Sequence, residues 1–184
     1  PLTLGGGIKS IKNIKDSLMA GADKISINSA AIKNPDIIKQ ASEHFGSQCI
    51  VVAVDVKKTD TSWVVHSHGG TINTNIEALS WLEKMQKLGA GEILLTSMDR
   101  DGTKLGFDLE LLKEANKILN IPLVASGGVG TIEHFYEGYN QIIEEAHRVV
   151  KDGGYLFLTF PCMSPLRKIN VKLNRYEIYH NESS

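Results

Sequence analysis

The sequence predicts an α/β fold built on parallel strands, and three observations carry that prediction. Six short apolar runs recur along the chain, "LTLGGG", "KISIN", "CIVVAVDV", "EILLTSMD", "PLVASGG" and "YLFLTF", and most end in Gly, Asn or Asp. Amphipathic stretches with helical spacing lie between them. The links are short, and strand–helix alternation with short links means parallel strands joined by right-handed crossovers. An open doubly wound sheet and a (β/α)8 barrel both satisfy the pattern, and periodicity does not separate them.

Taken in order, the chain opens on Pro1 and enters "LTLGGG" at once, with no Met and no lead-in, which reads as a cut N-terminus. "SIKNIKDSLMAG" reads as the first helix, stopped by Gly21. "NPDIIKQASEHFG" reads as the next, with Pro35 after Asn34 at its start and Gly46 at its end. After "CIVVAVDV" comes a long insertion, in which "SWVVHSHGG" alternates and predicts a small hairpin over the strand ends. "TNIE", Thr74 to Glu77, has capping-box spacing before a helix that stops at Gly89. Asp108 is placed to cap the helix that follows it, where Leu109, Leu112, Ala115 and Ile118 form one apolar stripe. "TIEHFYEGYNQIIEEAHRVVKDGG" reads as a last long helix before "YLFLTF", which is expected to stand where an eighth barrel strand would.

Composition excludes several classes. Hydrophobic residues make up 42% of the 184 and charged residues 22%, with a net charge of -1, an ordinary soluble balance. That charge predicts neither a nucleic-acid nor a membrane surface, and no apolar run reaches the length of a membrane span. Cys49 and Cys162 show neither metal spacing nor a disulfide framework, so buried thiols in a reduced cytoplasm are expected. His66 and His68 alternate on the hairpin, but two histidines without a third ligand read as polar hairpin residues, and no metal site is assigned.

Parallel α/β folds bind ligands at the C-terminal ends of their strands. Here those ends are Gly5-Gly6-Gly7, Asn28-Ser29, Asp55, Asp99 to Thr103 and Ser126-Gly127-Gly128. Gly7 with Asn28 and Ser29 form one small-residue cluster; Gly102 with Ser126, Gly127 and Gly128 form another. Small residues let backbone N–H groups approach an anion, so two such cradles on one face predict a ligand with a phosphate at each end. Asp55, between them, ends an apolar strand, where desolvation raises a carboxyl toward useful general-acid strength.

"TLGGGI", "GADKISINSAA", "FGSQCIVVAVDVK", "GAGEILLTSMDRDGTKLGFD" and "VASGGVGTIEHFYE" closely resemble the cyclase subunit of imidazole glycerol phosphate synthase, from Pro1 to about Gly138. The resemblance implies a (β/α)8 barrel, here a partial one with strands resembling the third to the seventh. It also implies an enzyme of histidine biosynthesis that uses ammonia to close the imidazole ring of a ribulosyl aminoimidazole-carboxamide bisphosphate. By resemblance Asp55 is one of two catalytic aspartates, the cradles are the two phosphate sites, and Thr96, Asp101 and Ser126 line the substrate cavity. The ammonia would come from a glutaminase subunit on the opposite face, with Lys24 and Glu92 as a gate and Asp23 as a contact. No cofactor is implied.

The resemblance also implies departures. The family's first two strands, and the other catalytic aspartate with them, have no counterpart, so impaired activity is expected. Asn75 stands where the family usually has Gly, and reads as a helix cap. Residues 139–184 form a second region, of which about Tyr139 to Lys168 resembles the late helix and strand of a class I methyltransferase, without the Gly-rich methyl-donor loop that fold needs. A partial barrel that binds phosphate without catalysis, and a fragment of a methyltransferase fusion, are the alternatives. Open sheet edges would invite self-association.

Overall fold

The computed structural model describes residues 2–138 together with two short strands, Tyr155–Leu158 and Ile169–Lys172. The chain divides into two compact units, Pro1–Tyr136 and Glu137–Ser184. In the first unit five parallel strands run in sequence order: β1 (Thr3–Gly5), β2 (Lys24–Ile27), β3 (Ile50–Lys58), β6 (Glu92–Ser97) and β7 (Leu123–Ser126). The predicted hairpin is β4 (Trp63–Ser67) with β5 (Ile72–Glu77). β4 pairs antiparallel with the last four residues of β3, on the edge that β2 occupies further back.

Strand order decides between the two architectures. Parallel strands that advance in one direction with crossovers of one hand place every helix on one face, as in a barrel wall. A doubly wound sheet reverses its order and covers both faces. The core agrees with the barrel. Ile25, Ile27, Ile50, Val52, Val54, Val56, Ile93 and Leu95 form a single buried cluster with residues of the helices. The helices are α1 (Ile11–Met19), α3 (Asp36–Phe45), α4 (Ala78–Lys87) and α5 (Leu109–Ile118), and a short α2 (Ser29–Lys33) precedes α3. Each fully buried Ile or Leu stabilises this layer by roughly 1.5–3 kcal/mol. Along β3 the alternate residues Val51, Ala53 and Asp55 point away from it, to the face that would line a barrel.

Local sequence explains the helix limits. Ser10 caps α1 by accepting from the Asn13 N–H at 3.2 Å. α1 and α4 both stop in the same way, with N–H bonds from Gly21 to Leu18 and Ala22 to Ser17, and from Gly89 to Gln86 and Ala90 to Met85. That pair of bonds defines a left-handed C-terminal turn, which glycine enters at little cost. On α5 the buried residues are Leu111, Leu112 and Ala115, so the apolar stripe is rotated slightly from the predicted one.

Three expectations are corrected. Thr74 does not cap α4: the strand continues to Glu77, whose own carboxylate accepts from the Leu79 and Ser80 N–H groups at 3.1 and 2.7 Å. Asn75 is not a helix cap either. It sits in β5 at φ +57°, the left-handed region, with its N–H donating to Asn73 Oδ1 at 2.8 Å. This is why Gly is acceptable there and why Asn, the next most tolerant residue, replaces it. The third concerns "YLFLTF": β8 (Tyr155–Leu158) is not hydrogen-bonded into the seven-stranded sheet but pairs antiparallel with β9 (Ile169–Lys172) in a two-stranded sheet. Cys162 and most of the methyltransferase-like stretch lie outside the described residues.

Two stability predictions follow from these contacts. Asp108 accepts from the Leu111 N–H at 3.1 Å, from Ser97 Oγ at 3.0 Å and from Trp63 Nε1 at 3.4 Å, all buried. Asp108→Ala removes a helix cap and orphans two donors, and should cost about 2–3 kcal/mol by denaturant melting. Asn75→Gly should leave stability unchanged or raise it slightly, whereas Asn75→Val should lower it by about 1–3 kcal/mol in the same assay.

Candidate active site

The parallel register gathers the site. Asp55 on β3 stands beside Thr96 on β6, and Thr96 beside Ser126 on β7. Paired residues in such a ladder share a face, so the three side chains form one row at the C-terminal ends of the strands. Asn28, the first residue past β2, reaches into that row, and its Nδ2 donates to Asp55 Oδ2 at 2.9 Å. Its Oδ1 is buried without a protein partner among the described residues, an acceptor aimed at a donor from elsewhere.

Asp55 is the chemical centre of the row. Burial raises its pKa above the ordinary carboxylate value, and the negative charge of Asp101 adds to the rise. Hydrogen bonds from Asn28 and Thr96 and the charge of His66 pull the other way without overcoming burial. A carboxyl whose pKa is raised is a better proton acceptor when ionised and can return the proton as an acid.

The two predicted cradles flank the row, and they differ. Gly7 and Asn28 each lie two residues beyond the paired Gly5 and Ser26, so they stand at neighbouring strand ends. Gly6 and Gly7 have open space where side chains would project. Ser29 also belongs here, although its Oγ already accepts from the His68 N–H at 3.1 Å and so fastens the hairpin to α2. In the second cradle Gly102 is exposed and open, but Gly127 and Gly128 are crowded. A Cβ on Gly128 would lie 2.1 Å from the Gly106 carbonyl oxygen, and one on Gly127 would lie 2.8 Å from that of Ser97. The Gly106 N–H donates to the Gly128 carbonyl at 2.8 Å. Close packing of the 98–107 loop against the end of β7 is therefore a reason for these two glycines independent of any ligand. Asp101 is exposed at the rim, its N–H bonded to the Ser97 carbonyl at 2.9 Å.

The charged residues expected at the other end are there. Lys24 opens β2 and Glu92 opens β6, and Lys24 Nζ donates to Glu92 Oε2 in a half-buried ion pair. Register puts both on the face that carries Asp55: Ser26 pairs with Val51, and Val51 with Glu92. Asp23, adjacent and exposed, accepts from the Leu2 N–H at 2.6 Å and fixes the first strand in place.

One residue of the site was missed. His66 stands directly opposite Asp55 in the β3–β4 ladder and is only 8% exposed. Its Nδ1–H donates to the Val64 carbonyl at 3.1 Å. His68, by contrast, is exposed just past the end of β4 and fits the expected polar role. Alternation placed both histidines on a hairpin, but only the strand register could show which one meets the carboxyl. Among the described residues no three His, Cys, Asp or Glu side chains converge as a metal site would require.

Comparison with known proteins shows the family. Residues 1–149 match the family model described as "Histidine biosynthesis protein". The chain is 57% identical over 148 residues to the imidazole glycerol phosphate synthase subunit HisF of Clostridium botulinum, an alignment covering 79% of this chain and 58% of the relative. It is 57% identical over 137 residues to the HisF of Sulfurisphaera tokodaii, covering 74% and 55%. With the HisF of Prosthecochloris aestuarii the identity is 55% over 139 residues, covering 76% and 55%. The chain thus spans a little over half the length of the curated relatives it matches. On the family match, the chain belongs to the histidine biosynthesis proteins, and within them it is similar to the HisF subunit.

Proposed function

We propose that this chain carries the site of an imidazole glycerol phosphate synthase cyclase. In that reaction ammonia closes the imidazole ring of a ribulosyl aminoimidazole-carboxamide bisphosphate. The observation that supports it most is Asp55: a half-buried carboxyl of raised pKa, at the C-terminal end of the central strand, between two glycine-bearing loops. In this reading Asp55 moves protons as general acid or base, and Thr96, Asp101 and Ser126 line the substrate's path. Gly7, Asn28 and Ser29 receive one phosphate, and Gly102 with Ser126, Gly127 and Gly128 the other. Proton transfer and amine condensation need no cofactor.

The opposite strand ends support the source of ammonia. Asp55 lies four residues beyond Val51, which pairs with Glu92, so about 13 Å of one sheet face separates the carboxyl from the ion pair. A glutaminase subunit docked at Asp23 would deliver ammonia past Lys24 and Glu92, along that face, toward Asp55. The relatives are themselves named as subunits. The cytoplasm is the compartment this pathway implies; among the described residues no helix is long and apolar enough to cross a membrane.

The test is ammonia-dependent turnover of the bisphosphate substrate by the full chain. Asp55→Asn should lower turnover by about 10²- to 10⁴-fold while calorimetry with a bisphosphate analogue still shows binding. Unchanged turnover removes Asp55 from the role. Binding without turnover in the parent chain would assign it a phosphate-binding role alone, and no binding would remove both readings.

Stability should move in the opposite sense. A raised folded-state pKa means the folded chain holds the Asp55 proton more tightly than the unfolded chain does. Stability from this group is then greatest below the unfolded value and is lost as pH rises through the folded one. Asp55→Asn should therefore raise the melting temperature at pH 7, and the gain should disappear toward about pH 4. Melting curves at the two pH values check this.

A further inference from the structure

The hairpin residue opposite Asp55 has no part in the reading above. We propose that His66 is a positioning residue of the site, which favours the ionised form of Asp55 from across the β3–β4 ladder. The inference rests on the assignment of Asp55 as the proton-transfer group, and it is argued from three features.

The first is register. Asp55 and His66 are direct partners in an antiparallel pair, where side chains leave on the same face with Cβ atoms about 4.5–5.5 Å apart. The second is burial. His66 is nearly closed off from water, so a charge on either ring or carboxyl is poorly screened from the other. The third is the tautomer. A carbonyl oxygen can only accept, so the contact with Val64 puts the proton on Nδ1 and leaves Nε2 as the nitrogen that gains or loses one.

The surrounding charges leave this pairing distinct. On β3 the same face carries Lys57, which is exposed, two residues beyond Asp55. β5 presents the neutral Asn73 opposite His66. Glu77, the carboxylate further along β5, is held by the N–H groups at the start of α4. Asp101 acts on Asp55 from the loop after β6. Just past β4, His68 Nδ1 is hydrogen-bonded to Ser67 Oγ at 2.9 Å.

A cationic imidazole favours the ionised carboxylate and lowers the Asp55 pKa. Histidine is ordinarily cationic below about pH 6.5, so the pull on Asp55 acts against the rise that burial causes.

Carboxyl-carbon NMR titrations of the full chain test this without substrate. In His66→Gln, and equally in His66→Asn, the Asp55 midpoint should rise by roughly half to one pH unit. A rise in either variant supports the coupling should the other not fold, and an unchanged midpoint in the variants that fold overturns it. Because no turnover is measured, loss of the cyclase reading leaves this result standing, and absence of the coupling leaves Asp55 as a candidate acid on its own. Where the parent chain turns over, His66→Gln should displace the acid limb of the pH–rate profile upward by the same interval, whereas a merely structural role would lower the rate at every pH.

Discussion

Everything at the site depends on how β3 is held. Its edges are both occupied: β6 pairs along Val51–Val56 on one side, and β2 then β4 share the other. Its alternation is enforced by burial, because Ile50, Val52, Val54 and Val56 are fully enclosed under the helices. A slip of one residue would turn those four outward and bury Asp55 in their place, a change the core cannot absorb. The orientation of one carboxyl is therefore secured by four apolar neighbours that never touch it as chemistry. The same lock sets the row through Thr96 and Ser126, since neither strand can shift without β3.

Much of the fold was legible because the sequence marks both layers. Alternating burial within apolar runs, Gly21 and Gly89 at helix ends, and Asp108 before α5 are local signals, and each one sits where local chemistry puts it. Topology was not local. Nothing in the periodicity of the strands tells a barrel wall from a doubly wound sheet; the continuous strand order does. The cap of α4 misled for a related reason. Thr74 and Glu77 have capping-box spacing, but Thr74 Oγ1 donates instead to the Val65 carbonyl at 2.7 Å, a partner supplied by the neighbouring strand. Tertiary pairing won over a local motif. The pairing of β8 with β9 escaped in the same way, since an apolar run does not say which strand it will meet.

The site was legible in type and not in arrangement. Small residues and carboxylates at strand ends announced a polar rim, and Asp55, Thr96 and Ser126 do stand in one row. What the residues could not say was how many purposes each glycine serves. Gly7 and Gly102 leave open space, as a ligand-facing turn should, whereas Gly127 and Gly128 are required by the loop that packs on them. These purposes are compatible, because a loop drawn tight against a strand end also presents its backbone close to whatever lies above it. His66 was illegible altogether, since a hairpin's register against a third strand depends on hydrogen bonds made far away in sequence.

Burial is the main cause of the raised pKa of Asp55. A lysine or arginine in contact would hold the carboxyl ionised and make it a poor acid. Lys24 is bound to Glu92 at the far end of the face, Lys58 to Glu110 at 2.5 Å on the outer side, and Lys57, on the Asp55 face, is exposed to water. What faces Asp55 instead is an amide, a hydroxyl and an imidazole. The amide and hydroxyl orient the carboxyl without adding charge, so burial keeps the upper hand. When cationic, the imidazole opposes burial, and burial still outweighs it.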